Sequence, residues 1–149
     1  VNLNSNASIP EAVARLAESG LSSLRVSLNS ARPESYERYY RPKGYDFSKV
    51  RESIRAAKQG GVYVSLNLLY FPGFSDTQME SDALLELICG EKIDCVQLRN
   101  LNIDPEFYLE LMQGIETGPA TSFTNFRKRL KKEAPWLHIG YFNPAVEKT

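Results

Sequence analysis

The sequence predicts an α/β fold: parallel strands alternating with helices, closing into part of a TIM-type (β/α)8 barrel. Three observations predict it. Leu24-Arg25-Val26-Ser27-Leu28-Asn29-Ser30 alternates apolar and polar residues with a period of two, the mark of a strand with two unlike faces. Such runs alternate with helical patterns about four times along the chain, as βαβ units do. The polar strand face recurs, through Ser27 and Asn29 first and then through Ser65 and Asn67. Parallel strands are usually apolar on both faces. The array is either an open sheet, with an edge strand wet on one face, or an arc of a barrel, and the repeated polar face favours the arc, whose inside a polar ligand reaches. A closed barrel takes about 250 residues, so 149 residues supply part of one.

The elements follow in order. Val1 to Asn4 alternates and reads as the first strand, with Ser5-Asn6-Ala7 as its exit loop. Ser8-Ile9-Pro10-Glu11 fits a capping box ahead of a helix whose buried stripe is Val13, Leu16 and Ala17. Gly20 ends that helix. Leu24 to Ser30 is the second strand. Arg32-Pro33-Glu34 opens a short helix through Tyr40, which Pro42 and Gly44 break. Asp46 caps the next helix, with Val50, Ile54 and Ala57 toward a sheet and Gly60-Gly61 as its stop. Val62 to Leu69 is the third strand. Phe71-Pro72-Gly73-Phe74 is a turn, and Ser75-Asp76 caps a helix reaching Cys89. Ile93 to Leu101 is the fourth strand, with Gln97 and Arg99 opposite Val96 and Leu98. Asp104-Pro105 opens a helix through Met112. Phe123, Phe126 and Leu130 mark a last helix, and Leu137 to Phe142 a final short strand. The expected organisation is one α/β domain over 1–149. Residues 1–104 are barrel units, and 105–149 form a helical extension with a short strand.

Composition narrows the function classes. Eighteen basic and eighteen acidic residues leave a formal net charge of +0, which offers no bulk attraction to nucleic acid or an anionic membrane. Mean hydropathy is −0.35, and no apolar run is long enough to span a bilayer. A cytoplasmic protein is expected. Cys89 and Cys95 match neither CxxC nor a zinc spacing and read as small buried thiols. His138 is the sole histidine and reads as structural. The basic run Arg127 to Lys132 reads as the solvated face of an amphipathic helix. Tyr36, Tyr39 and Tyr40 are expected to pack over outer helices. Val1, in strand-like sequence and not Met, is expected to lie inside a longer chain.

Several stretches, in order, resemble radical S-adenosylmethionine (SAM) proteins. Leu3-Asn4-Ser5-Asn6-Ala7-Ser8 is similar to their "LNTNGS" strand end. Gly20 through Ser30, GLSSLRVSLNS, is similar to "GLDxLRVSLDS". Ser35-Tyr36-Glu37 and Tyr45 through Val50 resemble the helices that follow. Gly61 through Asn67, then Pro72-Gly73-Phe74-Ser75-Asp76, resemble "GVxVxLNxLxxPGxTD". Val96 through Asn102 resembles the next strand. The resemblance covers roughly Val1 to Asp104. It departs at Ala7, where Gly is usual, and at Asn29, where Asp is common. The family's CxxxCxxC loop, which holds a 4Fe–4S cluster, is absent and in the family lies upstream of the first strand seen here.

The resemblance implies that SAM binds across the C-terminal ends of the strands and is cleaved reductively to a 5′-deoxyadenosyl radical. It implies Ser5 and Asn6 near the methionyl end, and Ser27 and Asn29 on its carboxylate or the ribose. Asn67 and Arg99 would face the adenosyl part or the substrate. Hydroxyls and amides suit a sugar and a zwitterion, and Arg suits a carboxylate. The expected role is the C-terminal part of a radical SAM enzyme. The cofactors SAM and a 4Fe–4S cluster belong to the parent protein, and neither is expected on the isolated chain. The expected partner is a missing N-terminal half of the barrel. The substrate, whether small molecule, peptide or RNA, is left open, and an exposed strand edge favours a homo-oligomer. Two other readings stand beside this one. Half of another (β/α)8 enzyme would show a Lys at a strand end, a phosphate loop or paired carboxylates. A non-enzymatic β/α interaction domain would form a self-contained sheet.

Overall fold

A computed structural model describes residues 1–100 and 103–141. The parts of the expected fourth and fifth strands at Leu101 and Phe142 lie outside the described residues. Five strands form one sheet: β1 (Asn2–Ser5), β2 (Ser23–Leu28), β3 (Tyr63–Tyr70), β4 (Cys95–Asn100) and β5 (His138–Tyr141). Their spatial order is the chain order, and every neighbouring pair is parallel. The helices are α1 (Pro10–Glu18), α2 (Pro33–Tyr40), α3 (Phe47–Gln59), α4 (Gln78–Glu91), α5 (Pro105–Leu111) and α6 (Phe123–Glu133). A sheet wound in one direction, with its ends unpaired to each other, is an arc of a (β/α) barrel. β5 belongs to this same sheet, so the array runs on through residues read from the sequence as an extension.

Register explains the core. Leu24, Val26 and Leu28 align with Val64, Leu66 and Leu68, and the last two with Val96 and Leu98. These side chains are buried and share one core with Val13, Val50, Ile54, Leu84, Ile88, Phe126 and Leu130 from the helices. Burying a side chain of this size contributes about 1.5–3 kcal/mol. α1 lies against α3, α3 against α4, and α4 against α6. α1 and α3 meet closely at Gly60, where an added Cβ falls 2.7 Å from the Ala17 Cβ.

Two helix starts differ from the sequence expectation. Ser8 does not cap α1: Ile9 holds the N-cap position without a side-chain bond, and Pro10 is the first helical residue. Glu11 is therefore one position too early to close the box. The Ser8 N–H is already taken by Asn6 Oδ1 at 3.2 Å, in a turn that places Ala7 at φ 55°. At α4 the N-cap is Thr77. Ser75 and Asp76 close the preceding turn instead. Ser75 Oγ accepts from the Phe71 N–H at 2.8 Å, and Asp76 Oδ1 from the Gly73 N–H at 2.9 Å. The first amides of α4 find carbonyls in the loop before α6: Gln78 donates to Pro119 O and Met79 to Thr117 O. That loop so satisfies amides that helix geometry leaves open. Asp46 and Asp104 hold the N-cap positions of α3 and α5; the Asp104 side chain accepts from the Glu106 N–H, whereas the Asp46 side chain makes no cap bond to α3.

α5 departs from the outer helix layer. Tyr108 is fully buried and gathers Phe74, Met112, Ile115, Tyr39 and Phe71 into a second cluster at the ends of β2 and β3. Tyr36 is also fully buried, stacked on Tyr40 and tilted against Phe47. Its hydroxyl meets that of Tyr45 at 3.2 Å. The basic residues of α6 lie opposite the buried Phe126 and Leu130.

Candidate functional site

The second sheet face is polar, and strand register assembles it in rows. Asn4, Arg25, Ser65, Cys95 and His138 are successive partners across all five strands. One step toward the C-terminal ends, Ser27, Asn67, Gln97 and Gly140 form a second row. Arg99 stands one step further, opposite Leu69. Period-two alternation sends all of these to the face opposite the apolar core. Ser27, Ser65, Asn67 and Arg99 therefore share the inner face. Asn29 continues their parity just past the end of β2.

The face is recessed and incompletely satisfied. A concavity of about 310 Å³ lies over the first row, lined by Asn4, Arg25, Ser65, Cys95, Gln97 and His138. Asn67 is 6% exposed, and its Oδ1 is buried without a hydrogen-bond donor; Gln97 Oε1 beside it is in the same condition. Buried acceptors without donors are rare in folded proteins, because each forfeits its hydration. Two neighbours in one row mark the part of the face that a donor-bearing group would complete. In the sequence Gln97 shows only polar parity, and the row is what gives it this place. Cys95 is buried, and that burial pushes its thiol pKa up.

The remaining predicted residues are engaged locally. Ser5 shares the row of Val26, Leu66 and Val96, the core side of the sheet. Its hydroxyl accepts from the Ala7 N–H at 2.9 Å. Asn6 is exposed and shapes the same turn. Asn29 is 1% exposed, and its Nδ2 donates to Ser35 O at 3.0 Å and to the Tyr108 hydroxyl at 3.1 Å. Its Oδ1 is also buried without a donor. Asn29 thus ties α2 and α5 to the end of β2. Arg99 is exposed and engaged.

A cluster does not fit this residue set. Cys89 is on α4, its thiol toward Glu133 O at 3.7 Å, whereas Cys95 faces the inner side at the start of β4. Among the described residues no three His, Cys, Asp or Glu side chains gather as metal ligands. Hydroxyl, amide and guanidinium groups share the inner face, the donor and acceptor types that a nucleoside or amino-acid ligand would call for, and two of the amides have buried acceptors without donors.

A singly wound parallel arc with a polar inner face defines part of a (β/α) barrel. The family model for the Radical SAM superfamily matches residues 1–85, more than half of the chain, and the chain belongs to that superfamily. It is 33% identical over 86 residues to a GTP 3′,8-cyclase of Rhizobium etli, covering 58% of this chain and 24% of that protein. Among solved structures, a radical SAM methyltransferase from Sphaerobacter thermophilus aligns with a TM-score of 0.56 and 18% identity, over 94% of this chain and 40% of that one. Streptococcus suis SuiB aligns with a TM-score of 0.59 and 14% identity, over 95% of this chain and 32% of that one. SuiB bound to S-adenosylmethionine aligns at 0.58. These likenesses are of fold. The chain spans between a quarter and two fifths of the length of these relatives.

Proposed function

We propose that this chain is the C-terminal part of a radical SAM catalytic barrel. In this reading it supplies one wall of the pocket for SAM and substrate, and an N-terminal half of the barrel supplies the cluster-binding cysteines. The observation that carries the reading is the inner-face row Ser27–Asn67–Gln97, with its two buried acceptors lacking donors. The short share of each relative's length supports a longer parent.

Ser27, Asn67 and Arg99 would hold SAM, which when bound would supply the one-electron chemistry. The chain's residues bind and orient. Ser27 donates to and accepts from ribose or carboxylate oxygens, and Asn67 accepts from a hydroxyl or amine. Arg99 holds a carboxylate from the rim. Asn29, Ser5 and Asn6 shape the strand ends around them. The apolar core behind the sheet keeps the face rigid and excludes water from that side. Alone, the chain lacks the cysteines for a cluster and is inactive. A cytoplasmic setting accords with two unpaired thiols. Among the described residues no helix is long and apolar enough to cross a membrane.

Anaerobic reconstitution with iron and sulfide tests this reading. The chain alone takes up no stoichiometric 4Fe–4S cluster. Extended through its upstream coding sequence and given dithionite as the electron donor, it binds the cluster and releases 5′-deoxyadenosine from SAM, and the double variant Ser27→Ala, Asn67→Ala lowers that release. A stoichiometric cluster in the chain alone, or an upstream sequence without CxxxCxxC, refutes the proposal.

A further inference from the structure

Glu80 is an acid in the wall of the core. It sits in the first turn of α4, 3% exposed, on the helix whose next inward residues are Leu84, Leu87 and Ile88. Both carboxylate oxygens are engaged. Ser30 Oγ donates to Oε1 at 2.5 Å, and Ser35 Oγ to Oε2 at 2.8 Å. Arg32 Nη1 donates to Oε2 at 3.2 Å. The partners come from the loop after β2 and from the start of α2, so one carboxylate ties both to α4.

The network extends past the carboxylate. Ser30 Oγ accepts from the Arg32 N–H at 2.9 Å, which closes the loop on itself. Arg32 Nη1 also donates to Glu116 O at 2.7 Å, in the loop that supplies carbonyls to α4. Ser35, whose hydroxyl Glu80 holds, presents its carbonyl to Asn29 Nδ2. Asn29 carries that connection to Tyr108 and α5. The route runs from α4 through Ser35 to the end of β2 and on to the rim.

Stability alone is a poor reason for a carboxylate here. Taking a charge out of water costs several kcal/mol, and apolar replacement of a buried charged cluster is often neutral or stabilising. What an apolar residue cannot do is fix two hydroxyls and a guanidinium on two adjoining segments at once.

We propose that Glu80 is a positioning residue, which sets the loop after β2 and, through Ser35, the orientation of the Asn29 carboxamide at the inner-face rim. Its bearing on ligand binding rests on the reading of that face given above; the positioning itself does not.

The test reads Asn29 directly. In the 149-residue chain with amide-labelled asparagine, hydrogen exchange of the Asn29 side-chain NH2 is followed by NMR without ligand. Glu80→Ala is expected to speed that exchange at least tenfold. Glu80→Gln keeps one acceptor and a group of the same shape, and is expected to retain most of the protection. Leu84→Ala, a neighbouring core truncation, is the control for general loosening and is expected to leave Asn29 protected at matched overall stability. Glu80→Gln carries the test if Glu80→Ala does not fold: protection is then retained in Glu80→Gln and lost in Ser35→Gly, which removes the hydroxyl and keeps the carbonyl. Unchanged exchange in Glu80→Ala, or equal loss in Leu84→Ala, overturns the proposal. So does protection retained in Ser35→Gly. Failure of the chain to bind a cluster or SAM touches only the functional reading, because no ligand enters this measurement.

Discussion

The turn between β3 and α4 depends on one buried carboxylate, and removing it is the sharpest test of how this part of the site is held. Asp76 is 4% exposed. Its Oδ2 accepts from the Tyr70 hydroxyl at 2.7 Å and its Oδ1 from the Gly73 N–H at 2.9 Å. Hydrogen bonds to a charged group contribute about 1.5–3 kcal/mol each. Asp76→Ala removes both and leaves two donors unpaired. A surface turn can relax and admit water, so the lower end of the sum applies, about 3 kcal/mol. For a chain of this size, a kilocalorie moves the midpoint by roughly 2–4 °C. The expected fall in Tm is thus roughly 6–12 °C, read by circular dichroism and checked by urea unfolding. Asp76→Asn keeps an acceptor for Gly73 and is expected to lose roughly 1–2 kcal/mol. Tyr70→Phe combined with Asp76→Ala closes a double-mutant cycle, with a coupling of about 1 kcal/mol expected. Asp76→Ala within about 0.5 kcal/mol of the parent, or strict additivity in the cycle, would show that the turn is held by something else.

Three further outcomes are expected. Gly60→Ala pushes a methyl into Ala17 and should cost about 1–3 kcal/mol; an unchanged urea midpoint would mean that α1 and α3 meet more loosely. Hydrogen bonding from Arg55, followed by Arg51, holds the Glu91 carboxyl below its usual range, so its contribution is present above that range and lost as pH falls through the depressed value. Burial pushes Glu80 the other way, so its contribution is full below the ordinary carboxylate range and lost as pH rises through the raised value. Stability measured against pH should therefore fall less steeply on the acid side in Glu91→Gln and less steeply toward neutral pH in Glu80→Gln; parent-like slopes would contradict both assignments. Among the described residues β1 pairs within the sheet only with β2, and an unpaired strand edge templates association. Sedimentation across a concentration series should show reversible self-association, and a monomer at every concentration would refute that.

The strands and their two faces were legible because both signals are local. Leu24, Val26 and Leu28 alternate with Arg25 and Ser27 whatever lies elsewhere, and register then carries the same parity into Ser65, Asn67 and Gln97. Helix starts were less legible, because chemistry just outside the helix decides them. After the turn at Asn6 and the left-handed Ala7 the helix begins one residue late, with Ile9 rather than Ser8 at its N-cap, and Asp76 is drawn back to Tyr70 and Gly73. The left-handed φ at Ala7 also gives a physical reason for the glycine usual there in similar sequences. Least legible were long-range ties. Asn29 and Tyr108 are 79 residues apart, and Glu80 and Ser30 are 50 apart. A glutamate in a helix reads as solvated until a loop closes over it, and no periodicity announces that loop.

Strand order identical to chain order has a consequence for how the molecule is made. Each strand after the first finds its partner already in place, one connection upstream, with a single helix before β2 and before β4 and two before β3 and before β5. None must wait for a later segment to be inserted between it and its neighbour. Chain-closure entropy is met in modest instalments, the condition under which parallel sheets avoid their usual slowness. Emerging from the ribosome N-terminus first, the chain can add one unit at a time to a growing template. The same property leaves a receptive edge at every stage of synthesis, so the interval before α4 and β4 arrive is when β3, with its apolar Val64, Leu66 and Leu68, is most open to mispairing.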